Sequence, residues 1–224
     1  MKINAMIMIA FILLPILTTN AQVMSPIYAG KQAAYLNLGL DPAVLTTWGY
    51  ARGFEVSFLK RDIMASTELA IPVAKLDLRD YRLKIGAQTS IVNYKGWDFS
   101  VPIHLILRGT KNWMHSATSF GVDFAGLFGY YGKWWFVNLE FGYDLAFITK
   151  ITATDRYKKY YYPDFKDGWY GNTSSFFTRG LRVGFRIRRI EMTLRAGEPI
   201  IDWTAESNDL MPPFYGSLGV NYIF

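Results

Sequence analysis

Between Ser119 and Lys150 the side chains alternate so regularly that only an extended backbone accommodates them. From Trp135 every second residue is large and apolar: Trp135, Val137, Leu139, Phe141, Tyr143, Leu145 and Phe147. Between them stand Phe136, Asn138, Glu140, Gly142, Asp144, Ala146 and Ile148. On the other side of a turn at Tyr131-Gly132-Lys133, Phe120, Val122, Phe124, Phe128 and Tyr130 alternate with Ser119, Gly121, Asp123, Ala125 and Gly129. A period of two puts each set on one face of a strand. The stretch therefore reads as a hairpin with one broad, aromatic, apolar face and one face of glycines, small residues and carboxylates. A soluble sandwich would cover its outer face with water-loving side chains. A polar face this rich in glycine suits a narrow hydrated interior, and an apolar face this broad suits lipid. The hairpin reads as two staves of a transmembrane β-barrel.

The same alternation recurs along the chain. Leu36, Leu38 and Leu40 enclose Asn37 and Gly39; Val44, Thr46, Trp48 and Tyr50 share a parity with Phe54, Val56 and Phe58. Arg52 falls on that apolar parity, which calls for a bulge or a rim position. Leu69, Ile71 and Val73 oppose Ser66 and Glu68, and Leu83, Ile85 and Ala87 oppose Arg82, Lys84, Gly86, Gln88 and Ser90. Phe99 to Leu107 opposes Ser100, His104 and Arg108; Phe177 to Ile187 opposes Thr178, Gly180, Arg182, Gly184, Arg186 and Arg188. Arg179 also sits on an apolar parity and is expected near a strand end. Met192, Leu194 and Ala196 oppose Glu191, Thr193, Arg195 and Gly197, and a last strand runs from Phe214 to Phe224. The expected fold is all-β, an antiparallel up-and-down barrel of about ten strands, with eight as the alternative because such barrels use even numbers. The barrel domain is placed at residues 34–224. The breaks at 109–116, 152–173 and 200–213 fall on one rim and the tight turns near Lys95, Gly132 and Arg189 on the other, the asymmetry expected of such barrels.

Composition narrows the setting. Half of the 224 residues are hydrophobic, 17% are aromatic and 19% are charged, a mixture that suits alternation better than a soluble core. With no cysteine, disulfides, thiolate metal sites and a thiol-linked lipid anchor are excluded. The net charge of +6 is spread along strands and one loop rather than gathered in a patch, so nucleic acid is not an expected partner. Lys2 followed by an apolar run from Met6 to Leu17 is too short to span a bilayer and reads as an export signal, residues 1–21, cleaved before Gln22. Residues 22–33 form an aperiodic N-terminal segment, and no later window is apolar enough for a transmembrane helix.

The final strand carries the most specific motif. Leu218, Val220, Tyr222 and Phe224 are apolar at alternate positions, with the aromatic Phe224 as the last residue. This pattern resembles the C-terminal signal of the Gram-negative outer-membrane β-barrel protein superfamily. The resemblance covers the mature chain as architecture and the last strand as a motif. It implies residence in the bacterial outer membrane, contact with its lipid and lipopolysaccharide, and recognition of the last strand by the barrel-assembly machinery.

The inward set holds Glu55, Glu68, Asp123, Glu140, Asp144 and Glu191 beside Arg82, Lys84, His104, Arg108, Arg182, Arg186, Arg188 and Arg195. Charges inside a narrow barrel must be paired or hydrated, and a ring of eight to ten strands is little wider than its side chains. A salt-bridge network filling the lumen is expected, with a narrow pore lined by arginines as the alternative. The resulting protein is a structural, surface-binding or accessory subunit; a small diffusion channel is the second reading and a lipid-modifying enzyme the third. For catalysis the candidate is His115, with Ser116, Thr118 and Ser119 after it and Asp123 further along, but it lacks the constellation a base and nucleophile require, so no catalytic residue is assigned. No cofactor is expected, and no metal-ligand spacing occurs. Trp97, Trp134, Trp135, Tyr130 and Tyr131 are expected to form an aromatic girdle. The loop 152–173 interleaves Arg156, Lys158, Lys159 and Lys166 with aromatics including Tyr160, Tyr161, Tyr162 and Trp169. It is expected either to bind a glycan, a protein or lipopolysaccharide phosphates, or to fold back over the barrel mouth, its lysines then pairing with Asp202, Glu206 and Asp209.

Overall fold

Alternation closes into a ring. The computed structural model describes residues 29–40, 44–57, 61–73, 79–201 and 214–224. Ten strands run β1 (Gln32–Leu40), β2 (Val44–Val56), β3 (Arg61–Pro72), β4 (Tyr81–Tyr94), β5 (Trp97–Lys111), β6 (His115–Tyr131), β7 (Trp135–Ala153), β8 (Gly168–Ile187), β9 (Ile190–Ile201) and β10 (Tyr215–Ile223). Each pairs antiparallel with its sequence neighbours, and β1 pairs with β10, so the sheet is one closed up-and-down barrel. Closure leaves no strand edge unpaired. The expected export signal and most of the segment 22–33 lie outside the described residues, as do Phe58 and the acidic residues Asp202, Glu206 and Asp209. The first strand begins at Gln32, two residues before the expected barrel boundary.

One rim, here the near rim, holds the start of β1, the end of β10 and the turns 95–96, 132–134 and 188–189. The far rim holds the end of β1, the start of β10 and the connections 112–114 and 154–167. At the near rim Lys95 and Gly96 both have positive φ, 50° and 89°, the two-residue turn whose twist matches the flanking strands. The far-rim break expected at 109–116 shrinks to 112–114, because β5 continues to Lys111 and β6 starts at His115. The expected loop 152–173 likewise shrinks to 154–167. The ladders continue into it from both ends, Thr152 pairing with Ser116 of β6 and Gly168 to Gly171 with Ile148 to Ile151 of β7.

The wall is lopsided. β1 and β10 have 9 residues each, whereas β7 has 19 and β8 has 20. At about 3.3 Å per residue and about 40° of tilt, the short side rises about 23 Å and β7 about 48 Å. The tall side lifts the 154–167 connection well above the opposite wall.

Polarity is inverted relative to a soluble protein. Outward side chains are large and apolar all round, with Trp48 63% and Leu105 65% exposed. The bulkiest fully buried side chains include Arg182, Lys84, Glu140 and Glu191, each at most 1% exposed. Two expectations about facing are corrected. Ile148 is exposed rather than inward, because Phe147 is an extra residue in the β6–β7 ladder, at the height where Asn172 and Thr173 of β8 stand against it, and the parity flips beyond it. Tyr131 leaves the girdle and turns into the barrel, where its ring stacks on Phe136 at 5.3 Å and Asn138 donates to its hydroxyl at 2.8 Å. Trp97 and Trp134 do lie exposed at the near rim.

The charges on the apolar face are also placed. Register is continuous through β2, so Arg52 is no bulge; it projects near the near rim beneath the Phe54 ring, 5.3 Å from its centroid. Arg179 lies well inside β8 rather than near a strand end, and it pairs outside the barrel with Glu198 of β9, Nε to Oε1 2.6 Å.

Candidate functional site: the filled lumen and its far-rim cavity

Inward side chains come from every strand at similar heights, so acids and bases meet across strands that are not neighbours. Glu140 on β7 takes two arginines. Arg182 on β8 donates Nη2 to its Oε2 at 2.9 Å, and Arg195 on β9 donates Nε to the same oxygen at 2.7 Å and Nη2 to Oε1. Arg182 and Arg195 are direct cross-strand partners. Two cations so placed repel each other, and the carboxylate between them turns the pair into a clamp. The ring of Tyr215 lies 4.5 Å from the Arg195 guanidinium carbon and completes the enclosure.

A second group fills the opposite wall. Lys84 on β4 pairs with Asp123 Oδ2 on β6, and His104 Nδ1 on β5 donates to Asp123 Oδ1 at 2.9 Å. Ser66 Oγ stands 3.3 Å from His104 Nε2. Tyr35 donates its hydroxyl to Glu68 Oε1 at 2.9 Å. Arg108 pairs with Asp144, which faces Asp123 across the β6–β7 ladder. Nearer the terminal rim, Arg186 grips Glu191 through Nε (2.9 Å) and Nη2 (2.5 Å), and Asn221 donates to the Glu191 carbonyl at 3.2 Å. Below them Leu127, Phe136 and Tyr131 fill the interior.

Glu68, Arg82, Lys84, His104, Arg108, Asp123, Glu140, Asp144, Arg182, Arg186, Glu191 and Arg195 thus all face the interior. Two expected members do not join them. Glu55 is exposed at the near-rim end of β2, and Arg188 is exposed in the 188–189 turn with φ 56°. Tyr35, Ser66, Tyr215, Asn138 and Asn221 were not anticipated as members. Their parity was readable, but a lone Tyr or Asn on the inward parity gives no signal that it closes a network.

The row Ser66, His104, Asp123 has the nucleophile, base and carboxylate order of a hydrolase relay. Ser66 is buried, however, and the open cavity is walled by other residues, beginning four positions along from the row at Arg82 on β4 and Ala70 on β3. His115 lies at the far rim eight positions from Asp123, whose carboxylate is already engaged by Lys84 and His104. Among the described residues no group of three or more acidic or histidine side chains is arranged to hold a metal ion.

The cavity occupies about 410 Å³ at the far end of the lumen. Its walls include Leu45, Pro72, Tyr81 and Phe176 together with Arg82, Arg108 and Lys111, and Asp80 lies at its edge, accepting from Thr110 Oγ1 at 3.1 Å. The connection 154–167 supplies none of these walls. Instead it forms a short helix, α1 (Asp155–Tyr160), capped by Thr154, whose hydroxyl accepts from Tyr157 N at 3.2 Å. The Tyr157 ring stacks on Tyr161 and Tyr162, each at 5.8 Å, and Tyr161 meets Trp113 edge-on at 5.7 Å. The aromatics therefore pack sideways on one another and on the 112–114 turn. Tyr160, Tyr161, Tyr162 and Trp169 keep exposed faces, Lys159 covers Tyr160, and Arg156 is also exposed.

One contact closes this loop. Asp167 accepts from Lys158 Nζ at 2.7 Å and from the Ala153 N–H at 2.9 Å. These bonds, that from Lys158 foremost, hold its carboxyl below the ordinary aspartate range. A depressed folded value means that the contact stabilises the loop above the unfolded pKa and is lost as pH falls through the folded one. The Ala153 amide resonance is therefore expected to titrate with a midpoint below about 3.9, and Lys158→Glu should raise that midpoint. A wild-type midpoint at or above the ordinary value would contradict the staple.

Comparison with protein-family models and with curated proteins finds no match.

Proposed function

We propose that the chain is an integral outer-membrane β-barrel protein whose lumen is sealed by its own side chains, and that it works as a structural or surface-binding subunit rather than as a diffusion channel. The inverted polarity carries this reading. An apolar belt around the whole barrel would aggregate in water, whereas a bilayer removes that cost and forbids open sheet edges, which closure supplies. The short side rises about 23 Å, close to the roughly 25 Å apolar band of such barrels. Inside, buried ion pairs occupy the interior at successive heights and leave open volume at the far rim. In this reading the Ser66, His104, Asp123 row holds the wall together and turns over no substrate.

The same reading puts the far rim outside the cell, where the exposed aromatics and lysines of 154–167 meet lipopolysaccharide, a glycan or a partner protein. Leu218, Val220, Tyr222 and Phe224 all project outward from β10, the seam strand. Phe224 exchanges both backbone hydrogen bonds with Gln32, at 2.9 and 3.0 Å, and so extends the seam by one pair. That position suits a segment the barrel-assembly machinery reads before the seam closes. Deleting Phe224 is expected to lower the yield in outer-membrane fractions of cells while leaving refolding into detergent largely intact. Recovery of the full-length protein in the soluble fraction would sink the membrane assignment, and normal assembly of the deletion would sink the role of the last residue.

A further inference from the structure

Every described turn of the near rim carries a cation. Lys31 precedes β1, Arg52 and Arg61 stand where β2 ends and β3 begins, Lys95 and Lys133 occupy the next two turns, and Arg188 and Arg189 form the last. All seven are exposed. Their contacts are with neutral groups. Arg61 Nη1 donates to the Ser90 and Ile91 carbonyls at 2.8 and 2.6 Å. Lys95 Nζ lies 5.1 Å from the Tyr94 ring centroid, and the Arg52 guanidinium 5.3 Å from that of Phe54. Such contacts hold a cation in place without cancelling its charge. The acids at this end are Glu55, Asp62 and Asp98; Asp62 accepts from the Ala29 N–H, and Asp98 is buried inside the lumen. Arg186 and Glu191, one step further in, cancel each other. The stretches adjoining this rim outside the described residues, 1–28 and 58–60, contain no aspartate or glutamate. Seven cations thus stand against three acidic side chains, and a carboxylate at Phe224 would still leave the rim positive.

Beside this collar runs the aromatic band. Trp97 stacks on Phe128 at 5.4 Å and meets Tyr130 edge-on at 5.6 Å, Trp134 stacks on Phe185 at 6.0 Å, and Tyr222 on Phe224 at 6.0 Å. Apolar belt, aromatic ring and cationic ring follow one another in the order in which a bilayer presents acyl chains, interface and headgroups. Lysine and arginine stems can lie along the aromatics while their charges reach the headgroup level. The cations are spread round the rim and do not converge on one pocket, so they suit a surface of many negative charges rather than a single small anion. We infer that the near rim binds the anionic headgroups of the adjoining leaflet, selecting anionic over zwitterionic phospholipid in the shell of lipid around the barrel. This inference rests on the membrane reading; the inward network takes no part in it.

The test uses full-length protein in phosphatidylcholine vesicles carrying a trace of spin-labelled phosphatidylglycerol or of spin-labelled phosphatidylcholine. Electron paramagnetic resonance separates lipid slowed by the protein from free lipid and gives the relative affinities. At low salt phosphatidylglycerol is expected to associate about threefold more strongly than phosphatidylcholine. The preference should shrink toward unity at roughly 1 M salt, where screening acts within about 3 Å. Lys95→Asn, Lys133→Gln, Arg188→Asn and Arg189→Gln together should remove most of it; asparagine tolerates the positive φ of positions 95 and 188. The far-rim control, Lys150→Gln with Lys159→Gln, should keep it. If the fourfold variant fails to insert, Lys133→Gln with Arg189→Gln replaces it and should remove about half. Inorganic phosphate at constant ionic strength should not displace the lipid, and displacement would overturn the inference in favour of a site for the free ion. A slowed component with equal affinities for the two lipids overturns the inference and leaves the membrane reading standing. So does a preference that survives the near-rim substitutions or is lost in the far-rim control. Absence of any slowed lipid sinks the membrane reading, and the inference with it.

Discussion

Glu140→Ala is expected to destabilise the barrel by about 3–5 kcal/mol, because removing one partner strands a buried charge. Here the loss is sharper than for a simple pair. Arg182 and Arg195 face each other directly across β8 and β9, and both are almost fully buried, so the variant leaves two adjacent cations sharing one enclosure. Urea unfolding in lipid vesicles should show a lower midpoint with an unchanged slope, since the surface exposed on unfolding is the same. The cause can be isolated. Replacing all three residues by apolar ones of similar size (Glu140→Leu, Arg182→Met, Arg195→Met) should recover much of the loss, as buried ionic triads elsewhere are replaceable by packed hydrophobics. A cost below about 1 kcal/mol for the single variant, the range of a solvent-exposed pair, would mean that water reaches Glu140 and that the lumen is not sealed at that height.

Gly86→Ala should be nearly as damaging, although it adds one methyl group. Gly86 lies between Ser66 and His104 in the cross-strand row, on the inward face of β4. A Cβ there would collide with the Ile103 carbonyl oxygen and come within 2.5 Å of His104 Cδ2. The carbonyl belongs to the ladder and cannot move without breaking it, and the ring cannot move without leaving Asp123. The imidazole lies flat across the strand only because position 86 has no side chain. Alanine is expected to cost more than the roughly 1–3 kcal/mol of ordinary overpacking, read as failure of most molecules to reach the compact, heat-modifiable form on gels. His104→Ala on the same background should not restore folding, because the collision with the Ile103 carbonyl remains. If Gly86→Ala alone folds with wild-type yield, the seat assigned to His104 is wrong.

The wall was legible in the sequence because alternation between an apolar and a polar face is a local property. Trp135 to Leu145 faces outward as its parity dictates, and β1, whose alternation is carried by three leucines, closes the ring onto β10. Legibility ended where backbone irregularity or long-range register decides. The bulge at Phe147 leaves no mark in residue types, yet it turns Ile148 outward. Tyr131 belongs by composition to a girdle and by position to the lumen, since tyrosine suits both a wet interface and a polar interior. The extra height of β7 and β8 was invisible because strands beyond an apolar belt need no apolar face. Inward charges could be named, but not their partners. Lys84 reaches Asp123, and Arg108 reaches Asp144, by skipping a strand, and such meetings depend on the register of the whole ring. The Arg82–Arg108 opposition has the same origin and became visible only with the β4–β5 register.

The central claim is that side chains close this barrel along its axis, and single-channel recording on refolded protein in planar bilayers tests it most directly. The filled lumen, with Glu191 and Arg186 near one rim and Glu140 and Lys84 at mid-height, predicts insertion without conductance. Stable, ohmic current steps that shrink when Arg186 is changed to Glu would contradict it, because they would place Arg186 on an open ion path.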